Sequence, residues 1–527
     1  MNGTVHIEVS RWKSSIEEEI HRECQETKNF MLDELKHYIL MCEGLRQTGD
    51  EDPFFVYGAK WANCVRGYLE NHFDTVMGYL RSGKFNSAKE QERWLQLTAT
   101  LIQNFNIEWM ARRKKIPKLA GSALIHSYSL GEGHPAFAET IMAMEALNQW
   151  LHDEMSVLFS PFQGIPPLLA VSASEQYAFQ IYPSIPAYDA PQKERKLQIE
   201  QFLIMSWINL PRWTPIHIRY CPAIAHEHFH RVAHLIRTAH IERERKRNSA
   251  LANEETIRLE MVGYYGSELV TLLDLFDYLS ESLYNKITEL QKDTIEQLKK
   301  SLGVYFVANN AIIVDYMISN SADICAEELL ADACGLVLLG PSSLWAFLNK
   351  LRIWHTLSFL DDLKIPGVHV THPPVALRVQ LMLGLLRACG FRQIAEGIDQ
   401  AVKNLRNKCP QIDPRGNHTF QELSGWLDDE LPKFTSACIR LSNAIKGSCW
   451  AKISVNGEEM WIEKMADIWN RLKKGQVYLP DSIGVDDIIN ALWWKELYVG
   501  RNEMSGHLAW RLALSHKLRN IPRGEIL

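Results

Sequence analysis

Apolar residues recur at the three- and four-residue spacing of amphipathic helices over most of the chain. A stretch rich in glycine and proline, residues 121–222, interrupts this pattern, and there loops, short helices and a few strands are expected. Within it, residues 216–220 (IHIRY) are the best strand candidate because polar and β-branched residues alternate. The helical periodicity predicts helices at 14–45, 61–80, 88–110, 254–284, 285–302 and 321–338, and further helices from 391 onward.

This pattern predicts three parts. They are an N-terminal helical region (1–120), a central domain (121–390) and a C-terminal helical region (391–527). The expected fold class is mainly α (α+β), with a small sheet in the central domain. No run reaches the roughly 20 mostly apolar residues that a membrane-spanning helix needs, so no membrane span is expected.

Composition and charge narrow the classes of function. The chain has 527 residues, is 46% hydrophobic and has a formal net charge of −6. It has only short basic runs, typical of solvated helix ends, so nucleic-acid binding is a weak alternative and no nucleic-acid partner is expected. Its ten cysteines contain no CxxC pair, which is typical of reduced thiols. No signal peptide is visible at the N-terminus, so we expect a cytoplasmic protein.

The strongest chemical signal is an HExxH motif formed by His226, Glu227 and His230. Residues four apart lie on one face of a helix, so the two imidazoles can hold one zinc ion. Glu227, beside the first of them, can act as a general base. Two further histidines follow the motif. His228 is expected to be a packing or solvent-facing histidine, and His234 is an additional one.

A second motif can supply the third protein ligand that a catalytic zinc requires. Glu328 and Asp332 are also four residues apart, in a helical segment that is otherwise apolar. Glu328 can complete a His₂Glu site, and Asp332 can accept a hydrogen bond from a ligand imidazole. Glu327 is a competing candidate for the third ligand.

The pattern HExxH, then ExxAD, then HPxxxxR (His372 to Arg378) resembles the gluzincin metallopeptidases. It is most similar to the group of the HtpX heat-shock protease and the CaaX prenyl proteases. The resemblance implies a zincin-like core in which His226, His230 and Glu328 bind Zn²⁺ and Glu227 is the catalytic base. It places His372 near the substrate oxyanion, with Asp332 and Arg378 beside the site.

The resemblance covers only residues 226–378, and the chain departs from the membrane-embedded members of that group in having no predicted membrane span. The expected function is a soluble zinc-dependent peptidase acting on a peptide or protein substrate, with the segment 216–220 as a candidate docking strand. The alternative is a regulatory or partner-binding protein on a zincin scaffold, with a structural or latent zinc site. A regulatory protein partner is a further candidate, because long helical regions flank the motifs.

Overall fold

The structure is a computed structural model. It describes residues 222–248, 253–290, 310–354, 373–408, 418–445 and 448–498, with shorter stretches between 144 and 211 and a few isolated positions elsewhere. The chain divides into two compact units, one of residues 1–138, 164–170 and 180–207, and one of residues 139–163, 171–179 and 208–527. The second unit contains the helices named below. The three-part division made from the sequence stays a prediction.

Several sequence-based predictions lie outside the described residues. They are His372, the strand at 216–220 and, apart from isolated positions, the helices at 14–45, 61–80 and 88–110.

Long helices make up most of the described chain. A short 3-10 helix, Met155–Phe159, follows the helical residues 147–154. The helices after it are α1 (Ala223–Arg247), α2 (Glu254–Tyr265), α3 (Ser267–Leu290), α4 (Asn310–Leu339), α5 (Pro341–Trp354), α6 (Val375–Cys389), α7 (Arg392–Lys408), α8 (His418–Ala444), α9 (Cys449–Lys473) and α10 (Val485–Tyr498).

Helix α4 lies at the centre of this unit. It packs against α1, α3, α5, α6, α8, α9 and α10. Every residue from Glu328 to Leu339 is buried, because this segment is apolar on all sides, as expected for a helix surrounded by others. The acidic residues Glu328 and Asp332 therefore lie in the protein interior, where a charge is costly unless it is paired.

The predicted α+β class, with a small sheet in the catalytic core, is wrong. The described part of the structure is 88% helical, and the extensive packing contacts of the described residues are all between helices. Three short strands, β1 (Leu168–Ser172), β2 (Ala178–Gln180) and β3 (Trp207–Pro211), pair in the order β1-β3-β2. The motif helices bury their apolar surfaces against other helices, so their packing does not depend on a sheet.

Glycine explains one difference from the predicted helix boundaries. The periodic stretch 254–284 is divided into α2 and α3 at Gly266, and α3 continues to Leu290. Gly266 has φ 89° and ψ 157°, a combination that essentially only glycine adopts. The apolar period continues across this break, so hydrophobicity alone did not reveal it.

Candidate metal centre

Three helices bring the predicted site residues together. Helix α1 begins directly after Pro222, and it carries His226, Glu227 and His230 in its first two turns. The central helix α4 supplies Glu327, Glu328 and Asp332, and α6 supplies Arg378. Helices α1 and α4 approach one another at Gly335: a β-carbon added there would lie 3.8 Å from the backbone nitrogen of His226, in ordinary van der Waals contact.

The side chains of His226, His230 and Glu328 form a compact ligand triangle, with one side chain at each corner. The Nε2 atoms of His226 and His230 are 3.2 Å apart. Glu328 directs Oε2 to 3.3 Å from His226 Nε2 and Oε1 to 3.5 Å from His230 Nε2. These three residues are the cluster of potential metal ligands found among the described residues. Zinc bonds of about 2.0–2.1 Å in tetrahedral geometry place ligand atoms roughly 3.3 Å apart, and each Nε2 lies near that distance from the other Nε2 and from one oxygen of Glu328.

Each imidazole has a carboxylate beside its other nitrogen. His226 Nδ1 lies 3.1 Å from Asp332 Oδ1, and His230 Nδ1 lies 2.8 Å from Glu327 Oε1. An ionised carboxylate can only accept a hydrogen bond, so each Nδ1 would hold the proton and each Nε2 would present a lone pair. Acceptor atoms that face one another at this distance repel unless a cation or protons lie between them.

Arg378 joins the two buried carboxylates of α4. Its Nε and Nη2 donate to Asp332 at 2.6 and 2.8 Å, and Nη1 lies 3.2 Å from Glu328 Oε2. The guanidinium also lies 4.6 Å from the centre of the Phe347 ring. Burial alone would raise the pKa of Glu328, but Arg378 and His230 hold that pKa well below its usual range. Glu328 is therefore an ionised ligand candidate at neutral pH.

The electrostatics of the cluster favour a divalent cation. Four carboxylates, those of Glu227, Glu327, Glu328 and Asp332, face the guanidinium groups of Arg237 and Arg378. With neutral imidazoles the cluster therefore has two excess negative charges.

The negative charge of these carboxylates also shifts the pKa values of the two imidazoles. Burial alone would lower their pKa values. Asp332 and Glu328 nevertheless raise the pKa of His226, and Glu328 and Glu327 raise that of His230 to about 10. Two protons or one zinc ion would neutralise the cluster, and the two nitrogens and one carboxylate are typical catalytic zinc ligands.

Glu227 lies next to the first ligand candidate and is only 5% exposed. Its carboxylate is close enough to act electrostatically on His230 and on Arg378. The structure thus places a second carboxylate, separate from Glu328, within the field of the cluster.

The other histidines of α1 have different surroundings. His228 is fully buried on the opposite face of the helix, where its Nε2 lies 2.6 Å from Asn148 Oδ1. Burial lowers its pKa well below the usual value. His228 is therefore a packing histidine, which was one of the two roles expected for it; the other was a solvent-facing position. Burial likewise lowers the pKa of His234, to about 4.

Two features of the site were missed by the sequence analysis. Glu327 lies on the Nδ1 side of His230 rather than at the ligand triangle, and Arg237 lies 3.6 Å from its second oxygen. Arg237 follows His230 by seven residues, two helical turns along the same face, and that spacing could have pointed to it. Nothing local in the sequence could have paired Asn148 with His228.

Comparisons with known proteins do not identify a function, so a functional proposal depends on the geometry of this site. Among the described residues, no helix is long and apolar enough to span a membrane. No family model, curated protein or solved structure matches the chain.

Proposed function

We propose that the protein is a zinc-dependent peptidase whose metal is held by His226, His230 and Glu328. The observation that supports the proposal is the close grouping of three potential ligands: the two Nε2 atoms are 3.2 Å apart, and each lies 3.3 or 3.5 Å from one of the two Glu328 oxygens. Three protein ligands leave one position open for water or substrate, as catalytic zinc sites do. The assignment of a peptide as the substrate is based on the resemblance of the motifs to those of the gluzincins.

Each site residue has its own role in this proposal. When bound, zinc would supply Lewis acidity toward water and the peptide carbonyl. Glu227 would accept a proton from the attacking water and pass it to the leaving amine, so the carboxylate is regenerated in each turnover. Glu328, held ionised by Arg378, would keep one negative charge at the site. His372 retains its predicted role at the oxyanion as part of the proposal.

The test separates metal binding from catalysis. Metal content is measured by mass spectrometry on protein purified without added metal, for the wild type, His230→Ala and Glu227→Gln. We expect near one zinc per chain in the wild type and in Glu227→Gln, and loss of zinc in His230→Ala. Cleavage of a diverse peptide library, followed by mass spectrometry, should occur with the wild type and fall by at least about 100-fold in Glu227→Gln, since a general base contributes about 10²–10⁴-fold.

Each result has a definite meaning. Absence of zinc from the wild type, with none taken up on titration, would refute the proposal. Cleavage that persists in Glu227→Gln would refute the assigned mechanism. Stoichiometric zinc without cleavage of any peptide would favour the alternative, a partner-binding protein with a structural or latent zinc site.

A further inference from the structure

Glu327 is placed between a ligand imidazole and a guanidinium group. Its Oε1 lies 2.8 Å from His230 Nδ1, and its Oε2 lies 3.6 Å from Arg237 Nη1. Arg237 is also held from its other side, because its Nη2 donates to Asn320 Oδ1 at 3.3 Å. The two oxygens of Glu327 are thus engaged in different directions, both away from the ligand triangle.

The arrangement repeats on the other imidazole. Asp332 lies beside His226 Nδ1 and is held by Arg378, so each ligand histidine has its own carboxylate and each carboxylate has its own arginine. One helix, α4, supplies both carboxylates and the ligand Glu328. The two pairs differ in exposure: the side chain of Arg378 is 7% exposed, whereas the side chains of Glu327 and Arg237 are 16% and 34% exposed.

We propose that Glu327 is a positioning residue that orients His230 and thereby sets the strength of divalent-metal binding, with Arg237 as its anchor. The proposal rests on the metal site of the proposed function. Glu327 accepts the Nδ1 proton of His230, which directs the Nε2 lone pair toward the metal position. Arg237 holds the second oxygen, so Glu327 is kept from turning inward to compete with Glu328 as a ligand.

The experiment measures zinc affinity, since a purely catalytic assay would mix binding with turnover. The full-length protein is stripped of metal and titrated with Zn²⁺ in competition with a chromophoric chelator. Carboxylates that hydrogen-bond to ligand histidines are worth about 10–100-fold in metal affinity, so Glu327→Gln should weaken zinc binding by that factor. Removing a ligand, in Glu328→Gln, should weaken it further.

The chain offers a matched control between α1 and α3. His240 Nδ1 lies 2.6 Å from Asp277 Oδ1, and Arg243 donates to Asp277 Oδ2 at 2.9 Å. This is the same order of histidine, carboxylate and arginine, without the ligand triangle. Asp277→Asn should therefore leave zinc affinity unchanged, even if it lowers stability.

A spectroscopic measurement distinguishes positioning from general destabilisation. In protein loaded with Co²⁺, the visible absorption bands report the geometry around the metal. They should change in Glu327→Gln and stay the same in Asp277→Asn. Arg237→Gln should weaken zinc binding less than Glu327→Gln, because its contact is longer and more exposed, and it gives a second variant if Glu327→Gln does not fold.

Three outcomes would overturn the proposal. One is a Glu327→Gln protein with wild-type zinc affinity and an unchanged Co²⁺ spectrum. Another is an equal loss of affinity in Asp277→Asn, which would show that the effect is general. A wild type that binds no zinc would overturn this proposal together with the proposed function, whereas the first two outcomes leave the metal site itself intact.

Discussion

At the scale of single residues, the site combines buried charges of opposite sign at short distances. Glu328 and Asp332 are each 5% exposed, and Arg378 is 6% exposed. Burying an ion pair costs solvation free energy, and the pair is tolerated only when each charge keeps its partner. The stability of the metal-free protein should therefore depend on Arg378 far more than on an exposed arginine.

We expect Arg378→Met to destabilise the metal-free protein by about 3–5 kcal/mol, because it leaves two buried carboxylates without their counter-charge. The measurement is urea denaturation in the presence of a chelator. Arg387→Met is the matched control on the same helix, since Arg387 makes a 3.0 Å ion pair with Asp399 but is 43% exposed. That control should cost less than about 1 kcal/mol. Equal losses in the two variants would contradict the importance of the buried cluster.

At the scale of elements, helix ends are decided by backbone conformation as much as by apolar periodicity. The apolar period runs through the junction of α2 and α3 without a break. The chain nevertheless turns there, because Gly266 adopts a positive φ and its N–H bonds to the carbonyl oxygen of Val262. Before it, Asn253 caps α2 by accepting from the backbone N–H of Thr256 at 2.8 Å.

Gly266→Ala should destabilise the protein by about 1–3 kcal/mol, because a β-carbon makes this backbone conformation strained. Gly263→Ala is the matched control within α2: nothing lies within 4 Å of an added β-carbon there. In an unobstructed helix interior, alanine is favoured over glycine by roughly 0.5–1 kcal/mol. Thermal or urea denaturation of both variants measures the difference, and a stabilised Gly266→Ala protein would show that the junction does not require glycine.

At the scale of the whole second unit, α4 connects the site to the C-terminal helices. Asn490 of α10 donates to the carbonyl oxygen of Leu339 at 2.9 Å and accepts from the backbone N–H of Ser342 at 3.2 Å. It therefore satisfies backbone groups at the turn between α4 and α5, and its side chain is 1% exposed. The C-terminal helices thus support the helix that carries Glu328.

Asn490→Ala should cost about 1–3 kcal/mol, because buried backbone groups would lose their partner. Asn470→Ala on α9 is the control, since Asn470 is exposed and its replacement should be within about 0.5 kcal/mol of neutral. Urea denaturation measures both. If Asn490→Ala were as stable as the wild type, α10 would not contribute to holding the α4–α5 turn.

Sequence alone determined the local half of the candidate site. The i, i+4 spacing of His226 and His230, and of Glu328 and Asp332, follows from helix geometry, so these pairs could be placed on single helix faces. The tertiary structure decided what could not be read locally: that α4 packs against α1, that Glu327 lies beside His230 Nδ1, and that Asn148 lies beside His228 Nε2. It also decided that, within the described part of the chain, the motif helices pack against other helices and not against the predicted sheet. Periodicity reports which face of a segment is apolar, but the partner of that face is set by packing between residues far apart in the chain.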